Sequence, residues 1–323
     1  MLKKFRFLVL LMVLILVIVS CSTFAAVKPI KLVYGHVFAT DHFYYKGDLH
    51  LKKLVEKKSK GKIIIDLFPA SQLGSNKEQT QALKSGAQHM LLGGEIDTYW
   101  PKYRTLALPY IYRDQEHCIK VGSRLNSLID QNEFETKVGA HILGARLCFP
   151  RHLTTKFPVH KLEDIKGIKM RVSESALNLA LWRAFGTVPT VIPAADVYTA
   201  LATGTVDAQE NPFDNIYTMK FYEQVKYCAL TAHCRQFYFV MINNKIWNSL
   251  TARQKKILTD AEAEVDKMII KAATEKEEEY KKLLAKGGMR FTNPDLAPFR
   301  EKAKTIWKEF GDEELIKKIQ AIK

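Results

Sequence analysis

Short apolar stretches alternate with amphipathic stretches of helical length through most of this 323-residue chain. No other feature limits the fold as much, because strands separated by helices are the signature of an α/β layer structure. IKLVYGHVF, KIIIDLF and HMLLGG supply the first three apolar runs. A helical pattern covers Leu49 to Lys58 between the first two. Ser75 and Glu78 have the spacing of a capping box, which predicts a helix from there to Gly86.

The alternation restarts at HILGARLCF and continues through IKMRV, a helix ending near Gly186, VPTVIP, and a helix from Ala194 to Thr203. TVDAQENP then forms a brief strand and turn, and FYFVMINNKIW another apolar strand. No low-complexity linker separates the two runs, so the sequence predicts α/β lobes joined by crossing strands. From Thr251, where Gln254 completes a second capping box, a helical pattern persists to Gly287 and Gly288. About 36 residues at about 1.5 Å each would reach about 54 Å, a strut long enough to cross both lobes. Glu262 and Glu264 on that helix read as part of a solvated face.

The N-terminus has a different character. Lys3, Lys4 and Arg6 precede an apolar run from Phe7 to Val19, followed by small residues. This is the pattern of a secretory leader, and the run is too short for a membrane span of about 20 residues. Residues 1–26 are therefore expected to direct export. Ile18-Val19-Ser20-Cys21 fits a lipobox with Cys21 as the lipid-bearing residue, and cleavage after Ala25 is the alternative. Export leaves Cys118, Cys148, Cys228 and Cys234 in an oxidising compartment, where both disulfides and buried thiols are open readings. The formal net charge is +15, and loss of the three basic leader residues leaves +12. That field favours anionic ligands or surfaces. The lysines are spread out and not interleaved with aromatics, which argues against a nucleic-acid partner.

No phosphate-binding glycine loop, dinucleotide fingerprint, nucleophile elbow or HExxH zinc motif is present, so the sequence supports no enzyme and no cofactor. His36 and His42 share a loop and give a weak metal signal. A carboxylate binder needs a planar, permanently charged guanidinium. Arg151 in CFPRHLTT, Arg171 in IKMRV and Asn211 in QENP all fall at ends of expected strands, where ligands of open α/β sheets sit. A solvated face is the bland alternative for Arg171.

KGIKMRV, PTVIPAADVYTALATGTVDAQENP and MKFYEQVKYCALTAH resemble signature stretches of the TRAP-transporter solute-binding proteins of the DctP type. KIIIDLFPASQLG, LALPYIYRD and FTNPDLAPFR extend the resemblance over nearly all of the chain after the leader. It implies a two-lobed periplasmic-binding-protein-like fold with a cleft between the lobes and a long helix spanning both. Residues 27–148 plus 237–276 would form the first lobe and 149–236 plus 277–323 the second. A small organic acid would be trapped in the cleft and delivered, by a monomeric protein, to the small and large TRAP membrane subunits. The resemblance gives Arg171 the ligand carboxylate, makes Arg151 a second contact, and gives Asn211 a supporting role. Asn76 and Glu95 would line the first lobe's wall. An exported α/β enzyme or a sensor lipoprotein acting on an anionic metabolite is the alternative.

Two departures from that pattern stand out. Ala194 occupies a position that is aromatic in many relatives, and Pro150 replaces a small residue before Arg151. The lost ring predicts open space beside the ligand, or stacking taken over by Tyr99, Trp100 or Phe237.

Overall fold

The computed structural model describes residues 28–94 and 96–323, so the leader, Cys21 and Glu95 lie outside the described residues. Eleven strands among them form two sheets. The first sheet holds β1 (Ile30–Gly35), β2 (Ile63–Phe68), β3 (Met90–Gly93), β4 (Ala140–Leu147) and β10 (Phe237–Asn243), in the order β2-β1-β3-β10-β4. The second holds β5 (Arg151–Thr155), β6 (Lys169–Val172), β7 (Val188–Val191), β8 (Ala208–Asn211), β9 (Tyr227–Cys234) and β11 (Arg290–Thr292), in the order β11-β9-β5-β8-β6-β7.

The chain passes directly from strand to strand between the sheets at two short segments, 148–150 between β4 and β5 and 235–236 between β9 and β10, and returns to the second sheet once more between β10 and β11. The backbone N–H of Cys148 donates to the Gln236 carbonyl at 3.0 Å, tying the two crossings together. Two α/β layers joined by crossing strands, with no tether, are what the uninterrupted alternation predicts.

The expected single strut is two helices. They are α4 (Ala252–Glu275) and α5 (Glu277–Lys286), with Lys276 between them at φ −99° and ψ −10°. Each half has its own packing partner. The first lies against α1 (Phe43–Lys58) and β4 of the first sheet, the second against α3 (Phe213–Thr218) beside the second sheet. Glu277, Glu278 and Glu279 crowd the first turn of α5, where carboxylates oppose the positive end of a helix dipole. At about 1.5 Å per residue the 24 residues of α4 reach about 36 Å.

The capping box at Ser75 starts α2 (Asn76–Ser85) as expected, and Gly86 ends it in the left-handed region. The helix expected from Leu49 begins earlier, at Phe43. Gly47, a residue that weakens a helical pattern, is there for packing. A Cβ on it would lie 3.0 Å from Ile269 Cδ1 and 3.2 Å from Val265 Cγ1, so the bare glycine lets α1 and α4 approach.

A second correction concerns Glu262, which is fully buried. Arg146 on β4 donates to it from Nε and Nη2 at 3.2 Å, and from Nη1 to Asp48 on α1 at 2.6 Å. His36 reaches the other oxygen of Asp48 at 3.2 Å. One guanidinium thus joins β4, α1 and α4. The helix pattern hid this partner because it lies over a hundred residues away in sequence.

A further carboxyl, Asp266, packs against this cluster and leaves it with more carboxylates than Arg146 can balance. Burial pushes Glu262 up; Arg146 opposes this, and Asp266 and Asp48 reinforce it, so that it stands at about 8. Asp266 is also raised by burial. Both carboxyls are thus held above the range they would have in the unfolded chain.

All four described cysteines are buried free thiols. Cys228 and Cys234 lie on one strand, six residues apart. At about 3.3 Å per residue that is about 20 Å, well beyond the 7 Å or less that a disulfide needs between Cα atoms.

A carboxyl whose folded pKa is raised contributes stability below its ordinary range and loses it as pH rises through the raised value. With Glu262 raised from 4.5 to about 8, the melting temperature should therefore fall from about pH 5 to about pH 8, and Asp266→Asn should flatten that fall. The variant is expected to be about 1–3 kcal/mol more stable than the parent at pH 9. Thermal melts across that range check this, and superimposable pH profiles for both proteins would contradict it.

Candidate functional site

Strand direction places the predicted residues together. β8 runs parallel to β6 and antiparallel to β5, with His152 opposite Asn211. The C-terminal ends of β6 and β8 and the N-terminal end of β5 therefore share one edge of the second sheet. Arg171, Asn211 and Arg151 sit at those three ends. Pro212 follows Asn211 and, unable to donate to a ladder, stops β8 and leads into α3.

These three residues line one cavity together with Asn76. Asn76 is the first residue of α2, on the first sheet's side, so the cavity lies between the two layers. Four of the five residues singled out from the sequence thus converge, and Glu95 lies outside the described residues. The cavity holds about 550 Å³ of empty space counted out to its mouth. Val37, Phe38, Ser173, Glu174, Asn215 and Tyr238 are among the other lining residues.

Arg171 is not on a solvated face. It is 4% exposed. Its Nε and Nη2 donate to the Ile192 carbonyl at 2.9 and 2.7 Å, which fixes the plane of the fork from the end of β7. Arg151 is placed differently. It is held in a direct ion pair with Glu210, to which Nε and Nη2 donate at 2.5 and 2.8 Å. Nη2 also donates to Asn211 Oδ1 at 3.0 Å, and Nη1 to the Tyr238 hydroxyl at 3.2 Å. Burial would raise Glu210, but Arg151 and the hydrogen bonds it receives outweigh that and hold it at about 2. The pair is neutral as a unit.

His233 lies on the far side of Glu210, with Nε2 3.1 Å from Oε2 and Nδ1 2.8 Å from Thr231 Oγ1. Burial lowers its pKa against the pull of Glu210, so it is a neutral ring donating through Nε2. His36 and His42, the weak metal candidates, face carboxylates instead. They meet Asp48 at 3.2 Å and Asp214 at 2.9 Å. No group of three or more His, Cys, Asp or Glu among the described residues could hold a metal ion.

Of the aromatics expected to take over stacking at 194, Trp100 and Phe237 are not among the described lining residues. Ala194 lines the cavity, and the aromatics beside it are Phe38, Phe221 and Tyr238. Trp100 packs edge-on against Phe134, and Phe237 against Tyr112, both within the core. Glu210 and Tyr238 escaped sequence reasoning because their roles depend on strand pairing. One signal was present. AQEN is a strand whose last three residues are polar and whose four residues are all buried, and buried polar groups require partners.

The profile of the bacterial extracellular solute-binding protein family 7 (DctP) matches residues 34–314. The chain is 31% identical over 268 residues to the sialic acid-binding periplasmic protein SiaP of Vibrio cholerae, covering 82% of this chain and 84% of that one. Among solved structures, it resembles a TRAP periplasmic solute-binding protein from Xanthobacter autotrophicus with bound β-D-galacturonate. The TM-score is 0.87 at 25% identity, over 90% of this chain and 100% of that one. A similar protein from Sulfurospirillum deleyianum, with bound succinate, matches at TM-score 0.85 and 28% identity, over 92% of this chain and 100% of that one.

Glu210→Gln should cost about 3–5 kcal/mol at pH 7 in urea unfolding, because it leaves the Arg151 charge buried and unpaired. A carboxyl with a lowered pKa contributes stability above its ordinary range and loses it as pH falls through the lowered value. The gap between parent and variant should therefore shrink as pH falls from 5 towards 2. A gap that stays constant over that range would count against the ion pair.

Proposed function

The chain belongs to the bacterial extracellular solute-binding protein family 7 (DctP), a family of binding proteins and not of enzymes, and from that premise we propose that it captures a small organic acid in the cavity between its two sheets. Arg171 pairs with the ligand carboxylate. Arg151, Asn211 and Asn76 complete the wall, Arg151 through its Glu210 pair and its contact to Tyr238. The loaded protein delivers the acid to the small and large membrane subunits of a TRAP permease. The leader supports export, and its Ile18–Cys21 box supports a lipid anchor at Cys21.

The observation that carries this reading is the placement of Arg171. Its guanidinium lines a cavity and is braced by a neutral carbonyl, with its plane fixed before any ligand arrives. A preset fork loses little freedom on binding, which favours a bidentate carboxylate contact over a flexible ammonium contact. The net charge of +12 expected after loss of the leader adds long-range attraction for anions.

We place the hinge at residues 148–150, 235–236 and Lys276. It divides the chain into 27–148 plus 237–276 and 149–236 plus 277–323. The C-terminal segment of the second part reaches back across the division. Asp312 N–H donates to Thr105 Oγ1 at 2.8 Å and Trp307 Nε1 to the Pro109 carbonyl at 3.1 Å.

Truncating one partner of a buried charge pair typically costs 2–5 kcal/mol, so Arg171→Ala should weaken acid binding by about 30-fold to more than 1,000-fold. Titration calorimetry against a panel of organic acids reads this, and unchanged affinity would remove Arg171 from the site. Closure of the two parts on binding should reduce the radius of gyration in small-angle scattering. Identical profiles with and without saturating acid would count against the hinge.

A further inference from the structure

We infer that the acid bound here carries at least one hydroxyl group, whose O–H donates to Asn215 Oδ1, and that the cavity selects hydroxy monocarboxylates over dicarboxylates. The inference rests on the proposed binding of an organic acid at Arg171 and adds to it the nature of the rest of the molecule. The family alone does not decide the point, since its solved members hold both galacturonate and succinate.

Arg151 sets the direction of every hydrogen bond around it, because a guanidinium can only donate. Its Nη2 donates to Asn211 Oδ1, which fixes which end of that amide is oxygen. The Asn211 Nδ2 must then be the donor to Gln209 Oε1, at 2.6 Å. Gln209 Nε2 in turn donates to Thr154 Oγ1 at 2.6 Å, consistent with that order. Asn215 lies four residues beyond Asn211, in α3, and meets the same oxygen. Its Nδ2 donates to Asn211 Oδ1 at 3.1 Å.

The polarity of Asn215 is therefore set as well. Flipping its amide would point oxygen at oxygen. Its own Oδ1 is left as an acceptor, buried, with no donor among the described residues, on a side chain that lines the cavity. A buried acceptor without a donor is costly, and a ligand hydroxyl supplies the donor. A carboxylate offers only acceptors, so it cannot fill this role and would be repelled by the oxygen.

The charges around the cavity point the same way. Of the described lining residues, Arg151, Arg171 and Glu174 carry charge. Arg151 is neutralised by Glu210 and so draws no carboxylate of its own. A second carboxylate on the ligand would have to displace Glu210 or accept a place among neutral amides and Glu174. Glu174 also lines the adjoining surface recess, where Glu78 and Asp196 outnumber Lys77. The mouth is thus acidic where a long dicarboxylate would leave it.

The test is titration calorimetry with D-erythronate, D-galactonate and D-glucuronate as hydroxy acids, against succinate, butyrate and hexanoate. At least one hydroxy acid should bind at least 100-fold more tightly than succinate and at least tenfold more tightly than its hydroxyl-free counterpart. In Asn215→Ala, shown to be folded by its circular-dichroism melt, hydroxy-acid affinity should fall at least tenfold while that for hydroxyl-free acids stays within threefold. Succinate binding as tightly as the best hydroxy acid would overturn the inference and leave the carboxylate reading intact. An equal loss for every acid in the variant would also overturn it, by showing a structural role only. If no acid in the panel binds the parent protein, the carboxylate reading fails, and the inference with it.

Discussion

A buried guanidinium cannot change its role: it keeps its charge and it only donates. Arg151 imposes those two facts on everything around it. Its charge fixes Glu210 in the ionised form and gives that carboxylate to the protein. Its direction of donation sets the orientation of Asn211, and through Asn211 those of Gln209 and Asn215. Remove that anchor and the amides could turn either way, with no fixed pattern of donors and acceptors facing the cavity. Arg151, which the family resemblance makes a second ligand contact, also sets the orientation of the amides at the cavity.

The two halves of the molecule use the same device for different ends. In the first sheet's layer, Arg146 ties β4, α1 and α4 into one body, with a further carboxyl held above its ordinary range by burial. In the second, Arg151 ties β5 to β8 and reaches across to Tyr238 on β10 of the other sheet. Between them the connections are short, and they are joined by a single backbone hydrogen bond from Cys148 to Gln236. Rigid layers with narrow crossings are the arrangement expected of hinge closure, in which a few residues absorb the dihedral change.

Much of this was legible in the sequence. Period-2 and helical patterns located most strands and helices, the capping boxes at Ser75 and Thr251 fixed two helix starts, and the strand-end positions of Arg151, Arg171 and Asn211 brought them to one edge. What escaped depended on contacts between distant residues. Glu262 looked solvated because Arg146 lies 116 positions away. The bend at Lys276 follows from α4 and α5 packing on different layers, which helical periodicity does not record. Trp100 and Phe237 looked available for stacking, yet each is consumed by the core. Glu210 and Asn215 acquire their meaning only through a chain of hydrogen bonds that starts on another strand.

The account's central claim is that Arg171 receives a carboxylate while the amide chain set by Arg151 reads the rest of the ligand. A crystal structure of the protein bound to the tightest hydroxy acid tests this most directly. The account predicts both carboxylate oxygens within hydrogen-bond distance of the Arg171 guanidinium, Arg151 still paired with Glu210, and a ligand hydroxyl about 2.8 Å from Asn215 Oδ1. A carboxylate seated on Arg151 with Glu210 displaced, or a ligand with no contact to Arg171, would contradict it.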